Sequence, residues 1–160
     1  MIVDSALYQN GHRVDGPDDI SDLVDIAQRD GGFVWLGLAA PSQEEFDMVV
    51  GELNFHPLAV EDAVTAMQRP KIEDYEGLTF FVLKTVFFDP TESAITTGEL
   101  ICFISEHFIV IVRHGEGSPL ATVRHDLEQK PNLLRLGPYA VLHAVVDRVH
   151  RWIHRYRCGT

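Results

Sequence analysis

Glu61 and Asp62 stand side by side just after a histidine-proline step, in His56-Pro57-Leu58-Ala59-Val60-Glu61-Asp62-Ala63. Carboxylate oxygens suit hard cations such as Mg²⁺, which keeps much of its water and takes few protein ligands. Neighbouring residues on a helix point about 100° apart. The two acids therefore diverge and do not form a chelating pair. Each is a candidate for a separate ion completed by another segment or another chain, and the same pattern also describes two solvated carboxylates on an exposed face. A second constellation is Arg113-His114-Gly115-Glu116 after an apolar run. There a histidine could accept a phosphoryl group while the arginine fork holds phosphate. His150 and His154 lie one helical turn apart, as in a two-histidine metal site, but no acid lies between or after them and the surroundings are basic. His56 reads as a structural group at a helix start. No Ser-His-Asp spacing, phosphate-cradling glycine loop or Cys-x-x-Cys motif is present.

These residues need elements to hold them. Ile20, Leu23, Val24 and Ala27 recur at helical spacing up to Gly31-Gly32, and Phe33 to Leu38 reads as a buried strand. Ser42 and Glu45 form a capping box ahead of Phe46, Val49, Val50 and Leu53. Pro57 suits a first helical turn, so Leu58 to Met67 is expected to be helical, ending before Pro70. Three apolar runs, Leu78 to Phe88, Leu100 to Ile104 and Phe108 to Val112, read as strands, at least two of them antiparallel. Leu120, Val123 and Leu127 mark a helix that closes near Pro131. Gly137-Pro138 opens the last one, with Val141, Leu142, Val145, Val146 and Val149 on its buried side. Helices precede, interrupt and follow the strands. The fold class expected is α/β, a mixed, partly antiparallel sheet flanked by helices.

The totals agree with one globular domain. The chain has 160 residues, 46% hydrophobic and 23% charged, with a net charge of −11. Such a surface does not suit nucleic acid, which calls for a basic stripe. All acidic residues lie at or before Asp147, and Arg148, Arg151, Arg155 and Arg157 follow. We therefore divide the chain into a domain over 1–147 and a basic tail over 148–160. Cys102 and Cys158 give no reason to expect a disulfide. No apolar stretch reaches the ~18 residues of a membrane span, and the N-terminus lacks a signal pattern.

The block from His56 through Gln68-Arg69-Pro70-Lys71-Ile72-Glu73-Asp74-Tyr75 to Leu78-Thr79-Phe80-Phe81-Val82-Leu83-Lys84-Thr85 resembles the N-terminal domain of CorA-type magnesium and cobalt transporters. The resemblance runs from about Val34 to Asp147. It takes in Val110-Ile111-Val112-Arg113-His114-Gly115, the helix around Val123 to Glu128, and Gly137-Pro138-Tyr139 through Val146-Asp147. It implies a cytoplasmic α/β/α domain, followed in the family by a stalk helix and two membrane helices, with five copies around a pore. It further implies that divalent ions between neighbouring domains hold that pore shut. By resemblance Asp62 matches the primary regulatory Mg²⁺ ligand, while Glu61 and Asp147 match a second, weaker site; Co²⁺ is an alternative ion.

The chain departs from the family pattern in two ways. The stalk carboxylate has no counterpart before Thr160, and Arg148-Val149-His150-Arg151 stands where the family usually carries a second acid after Asp147. The expectation is a product shortened before the stalk and membrane helices. Alone it would sense cations without transporting them, bind Mg²⁺ weakly, and be monomeric or weakly associating. A zinc-transporting relative is the alternative within the family. A histidine phosphatase of the Arg-His-Gly type is the alternative of another class. Such enzymes place the motif after their first strand, however, and need a second histidine and further arginines. No catalytic residue is assigned.

Overall fold

A computed structural model describes residues 1–64, 69–115 and 120–157; the side chains at 62–64 and 152–157 are not among those described. The order is β1 (Ile2–Gln9), β2 (His12–Val14), α1 (Ile20–Asp30), β3 (Phe33–Ala39), α2 (Gln43–Leu53), α3 (Pro57–Val64), β4 (Lys71–Tyr75), β5 (Leu78–Asp89), β6 (Ala94–Ile104), β7 (Phe108–His114), α4 (Leu120–Glu128), α5 (Pro131–Leu134) and α6 (Pro138–Arg157).

The strands form one seven-stranded sheet in the order β2-β1-β3-β7-β6-β5-β4. The pair β3–β7 is parallel and the other pairings are antiparallel. Alternation along the strands sends side chains to two separate cores. Val34, Leu36 and Leu38 of β3 join Phe80, Phe103 and Val110 beneath α1, α2 and α3. Phe33 and Trp35 join Cys102, Ile109 and Ile111 beneath α4, α5 and α6. This is the α/β/α sandwich with a mixed sheet that the sequence implies.

A bulge in β1 serves both cores. The β1–β3 register shifts between Ile2 and Asp4. Ile2 therefore packs with the α1–α3 layer, while Ala6 and Tyr8 face the α4–α6 layer. Helix α2 begins with the anticipated capping box: the Glu45 N–H donates to Ser42 Oγ at 3.2 Å and the Ser42 N–H donates to Glu45 Oε2 at 3.0 Å. The N-terminal ammonium adds a bond to the same carboxylate oxygen at 2.7 Å.

The sequence reading did not anticipate β1, β2, β4 or the helical turn α5, and its third strand was shorter than β6. The helix expected over Leu58 to Met67 is observed through Val64; residues 65–68 lie outside the described ones. Helix α6 passes through residues 147 and 148 without interruption, so residues 148–157 of the basic segment continue that helix.

Candidate functional site

The acidic helix α3 is held at its start by His56. Pro57, at the first helical position, has no N–H to satisfy. The Leu58 N–H donates to His56 Nδ1 at 3.2 Å. The Ala59 and Val60 N–H groups donate to the His56 carbonyl at 3.0 and 3.2 Å. The imidazole in turn stacks on Tyr75 of β4, with centroids 5.5 Å apart and planes at 20°. Inward, Ala59 is fully buried beside Phe55, and Phe55 stacks on Phe103 at 4.6 Å. One residue thus satisfies the open donors of the first turn, and a small apolar contact fixes the inner face.

On that helix Glu61 is exposed. The backbone of Asp62 lies within α3, and its side chain lies outside the described ones. Asp147 projects from α6, on the opposite face of the sheet, with its side chain 47% exposed. Its Oδ2 accepts a bond from Arg151 Nε, one turn on, at 2.9 Å. The structure therefore does not bring Glu61 and Asp147 together within a protomer. Among the described residues, no group of three or more His, Cys, Asp or Glu is arranged to hold a metal. As donors the two carboxylates still fit a hydrated hard cation, because Mg²⁺ is commonly held through one or two carboxylates with water filling the remainder.

The first basic residue after Asp147 is tied into the fold. Arg148 donates to Thr122 Oγ1 at 2.9 Å and pairs with Asp126, joining α6 to α4. His150 is exposed on α6, and the His154 side chain lies outside the described residues. Among the described residues no helix is long and apolar enough to cross a membrane.

Sequence reasoning missed a polar network on the α4 side. Arg124 of α4 lies 4.1 Å over the Trp35 ring. Its Nε is 3.2 Å from Asp4 Oδ2, and its two terminal nitrogens donate to Tyr8 Oη at 3.0 Å and to the Trp35 carbonyl at 3.2 Å. The Tyr8 hydroxyl donates to Glu128 Oε1 at 2.7 Å. Arg13 reaches Asp4 Oδ1 at 2.9 Å. Burial of Asp4 works to raise its pKa, but the Arg13 hydrogen bond and the Arg124 and Arg13 charges outweigh it and hold the carboxyl below its ordinary 3.8. Burial pushes the Tyr8 phenol up to about 12. The network borders a cleft of about 470 Å³ at the carboxyl ends of β3 and β7, lined by Trp35, Gly37, Ile111, Arg113 and Leu120 among others. Arg124 and Glu128 were legible as helical residues, but Asp4 and Tyr8 carried no signal because β1 itself had not been recognised.

The motif Arg113-His114-Gly115 ends β7. His114 lies in cross-strand register with Glu99, and Gly115 turns the chain with φ +78° against Gly98. It is a strand end closed by a tight backbone approach.

Over residues 30–156 the chain matches the family described as CorA-like Mg²⁺ transporter protein. It is 30% identical over 124 residues, 78% of its length, to YfjQ of Bacillus subtilis, a protein provisionally named a metal ion transporter. It is 24% identical over 119 residues, 71% of its length, to the cobalt/magnesium transport protein CorA of Thermotoga maritima. The chain spans 38% and 34% of the lengths of these two relatives. The soluble domain of CorA from Methanocaldococcus jannaschii has the same fold, with a TM-score of 0.70 over 98% of this chain and 60% of that one at 19% identity. The matched proteins are transporter-family domains and not enzymes, and the phosphatase reading of Arg113-His114-Gly115 is set aside.

Proposed function

The chain belongs to the CorA-like Mg²⁺ transporter family, and we propose that it acts there as a cation-sensing head, regulating ion passage without carrying ions itself. One observation carries this reading. The exposed acid Glu61 and the exposed acid Asp147 stand on opposite layers of the sandwich. Neither can complete an ion's shell with the other inside one copy. A second copy, packed face to back, would bring the α3 acids of one domain to the α6 acid of the next. Asp62, adjacent to Glu61 on α3, is the proposed principal ligand, and Glu61 with Asp147 forms the weaker shared site.

In this reading the residues work through charge. Facing carboxylates of neighbouring copies repel one another, and a bound dication supplies the positive charge that lets them approach. High Mg²⁺ would then lock the heads in the closed arrangement, and its loss would free them. In the assembled transporter five such heads would stand together on the cytoplasmic side. The Arg151 pair does not block Asp147, because an exposed pair one turn apart is worth only about 0.3–0.5 kcal/mol.

The test is ¹H–¹⁵N NMR of the 160-residue chain titrated with Mg²⁺ into the millimolar range, with Zn²⁺ and Co²⁺ as separate arms. Saturable shifts confined to α3 and the middle of α6, lost from α3 in Asp62→Ala, are expected. Uniform small shifts over all acidic surfaces would overturn the reading. Saturation at those positions by Zn²⁺ but not Mg²⁺ would move it to a zinc-transporting relative.

A further inference from the structure

We propose that His56 is a proton-sensitive cap that positions the acidic helix: neutral imidazole holds the first turn of α3, and imidazolium releases it. The argument begins with the donor inventory. The Leu58 N–H has His56 Nδ1 as its acceptor at 3.2 Å. That nitrogen must present a lone pair, so the neutral ring carries its proton on Nε2. Histidine is the side chain whose charge ordinarily changes between about pH 5 and 8. A solvent proton added to Nδ1 turns the acceptor into a donor, and two N–H groups then face each other. The new positive charge also sits at the positive end of the helix. Both effects act on the first turn of α3, whose N–H groups have no acceptor within the helix.

His56 is half-buried. It borders a cleft of about 380 Å³. Tyr75 faces it from β4, and the Tyr75 hydroxyl is bonded to Glu73. Glu76, on the β4–β5 turn, lines the same cleft. The other described lining residues, from the end of α2 and the β6–β7 corner, carry no titratable group. On its own helix Glu61 lies beyond the first turn.

The consequence for ion sensing is that acid loosens the segment bearing Glu61 and Asp62, so Mg²⁺ affinity falls as His56 is protonated. That consequence rests on the proposed function. The capping switch itself does not, so the two fail separately.

The experiment is ¹⁵N NMR of the full 160-residue chain from pH 8 to pH 5. Three results are expected. The neutral His56 ring shows a bare Nδ1. The Leu58 amide shift follows the His56 titration. Exchange of the Leu58 amide, corrected for its intrinsic rate, quickens about five- to tenfold across that titration, the effect of one lost cap. His56→Asn, whose side chain caps without titrating, should keep Leu58 protected at both ends of the range. A protonated Nδ1 in the neutral ring would overturn the proposal. So would a Leu58 shift that stays flat while His56 titrates, or a His56→Asn chain with the wild-type pH dependence.

Discussion

At Arg124 one guanidinium meets an aromatic face, a carboxylate, a phenol and a backbone carbonyl, and only 12% of the side chain is exposed. Lysine could supply the charge but not the planar fork that reaches these partners together. Removing it leaves Asp4 with Arg13 as its remaining cationic partner, takes this donor from Tyr8 Oη and the Trp35 carbonyl, and uncovers the Trp35 ring. Arg124→Ala should therefore destabilise the chain by about 2–4 kcal/mol, read as a lower midpoint in urea unfolding with unchanged slope. Asp4 supplies a matching pH signature. Its folded pKa lies below the ordinary 3.8, so its contribution is complete above about pH 4 and is lost as pH falls through the lowered value. Asp4→Asn should be less stable than the wild type at neutral pH, and the gap should narrow in acid; a gap that stays constant from pH 6 to pH 2.5 would contradict this linkage. None of this was visible along the chain. Arg124 and Asp4 are 120 positions apart, and their pairing exists only because β1 lies beside β3 and the bulge after Ile2 aims Asp4 toward α4.

Elements differed in legibility according to how one-sided their burial is. Helices α1, α2 and α6 bury one stripe each, so their 3.6-residue period survives in the sequence, and the Ser42–Glu45 box marked the start of α2 by chemistry alone. The central strands read as apolar runs because both faces are covered. The edge strands did not. In β4, Ile72 points outward at 65% exposure between Lys71 and Glu73, the pattern expected where an edge must resist pairing with another chain. The first half of β6 is polar because Ala94 to Gly98 pair with β5 alone, beyond the end of β7. The Arg-His-Gly triplet was ambiguous for a related reason: as a string it fits phosphoryl chemistry, and only the fold supplies the reason for the glycine. A Cβ on Gly115 would lie 3.1 Å from both Gly98 Cα and Thr97 O, at a φ that side chains rarely adopt. Gly115→Ala should cost about 1–3 kcal/mol with the far-ultraviolet spectrum retained, measured by thermal unfolding. A neutral result would mean that the β6–β7 contact is looser than described.

For the whole molecule, the decisive quantity is the thickness of the sandwich. Helix layers lie about 10 Å from a sheet, so acids on α3 and α6 are separated by roughly two such layers. A Mg²⁺–oxygen bond is about 2.0–2.1 Å long. No side-chain rotation closes that gap, so cooperation between Glu61 and Asp147 requires contact between different copies. The surfaces involved are different patches, which makes the contact head-to-tail and extends it to a ring or a chain of subunits. The sequence supplied the candidate residues but not this geometry, because nothing in linear order says that α3 and α6 cover opposite faces. A complementation experiment follows. Glu61→Ala and Asp147→Ala chains should each lose Mg²⁺-dependent self-association at the weaker site. An equal mixture should regain part of it, since the intact Glu61 of one chain can face the intact Asp147 of the other. Sedimentation velocity at high protein concentration, with Mg²⁺ and with Na⁺ matched for ionic strength, reads the result. A mixture that sediments as the average of its two components would remove the shared-ion arrangement for this pair and leave Asp62 to act without them.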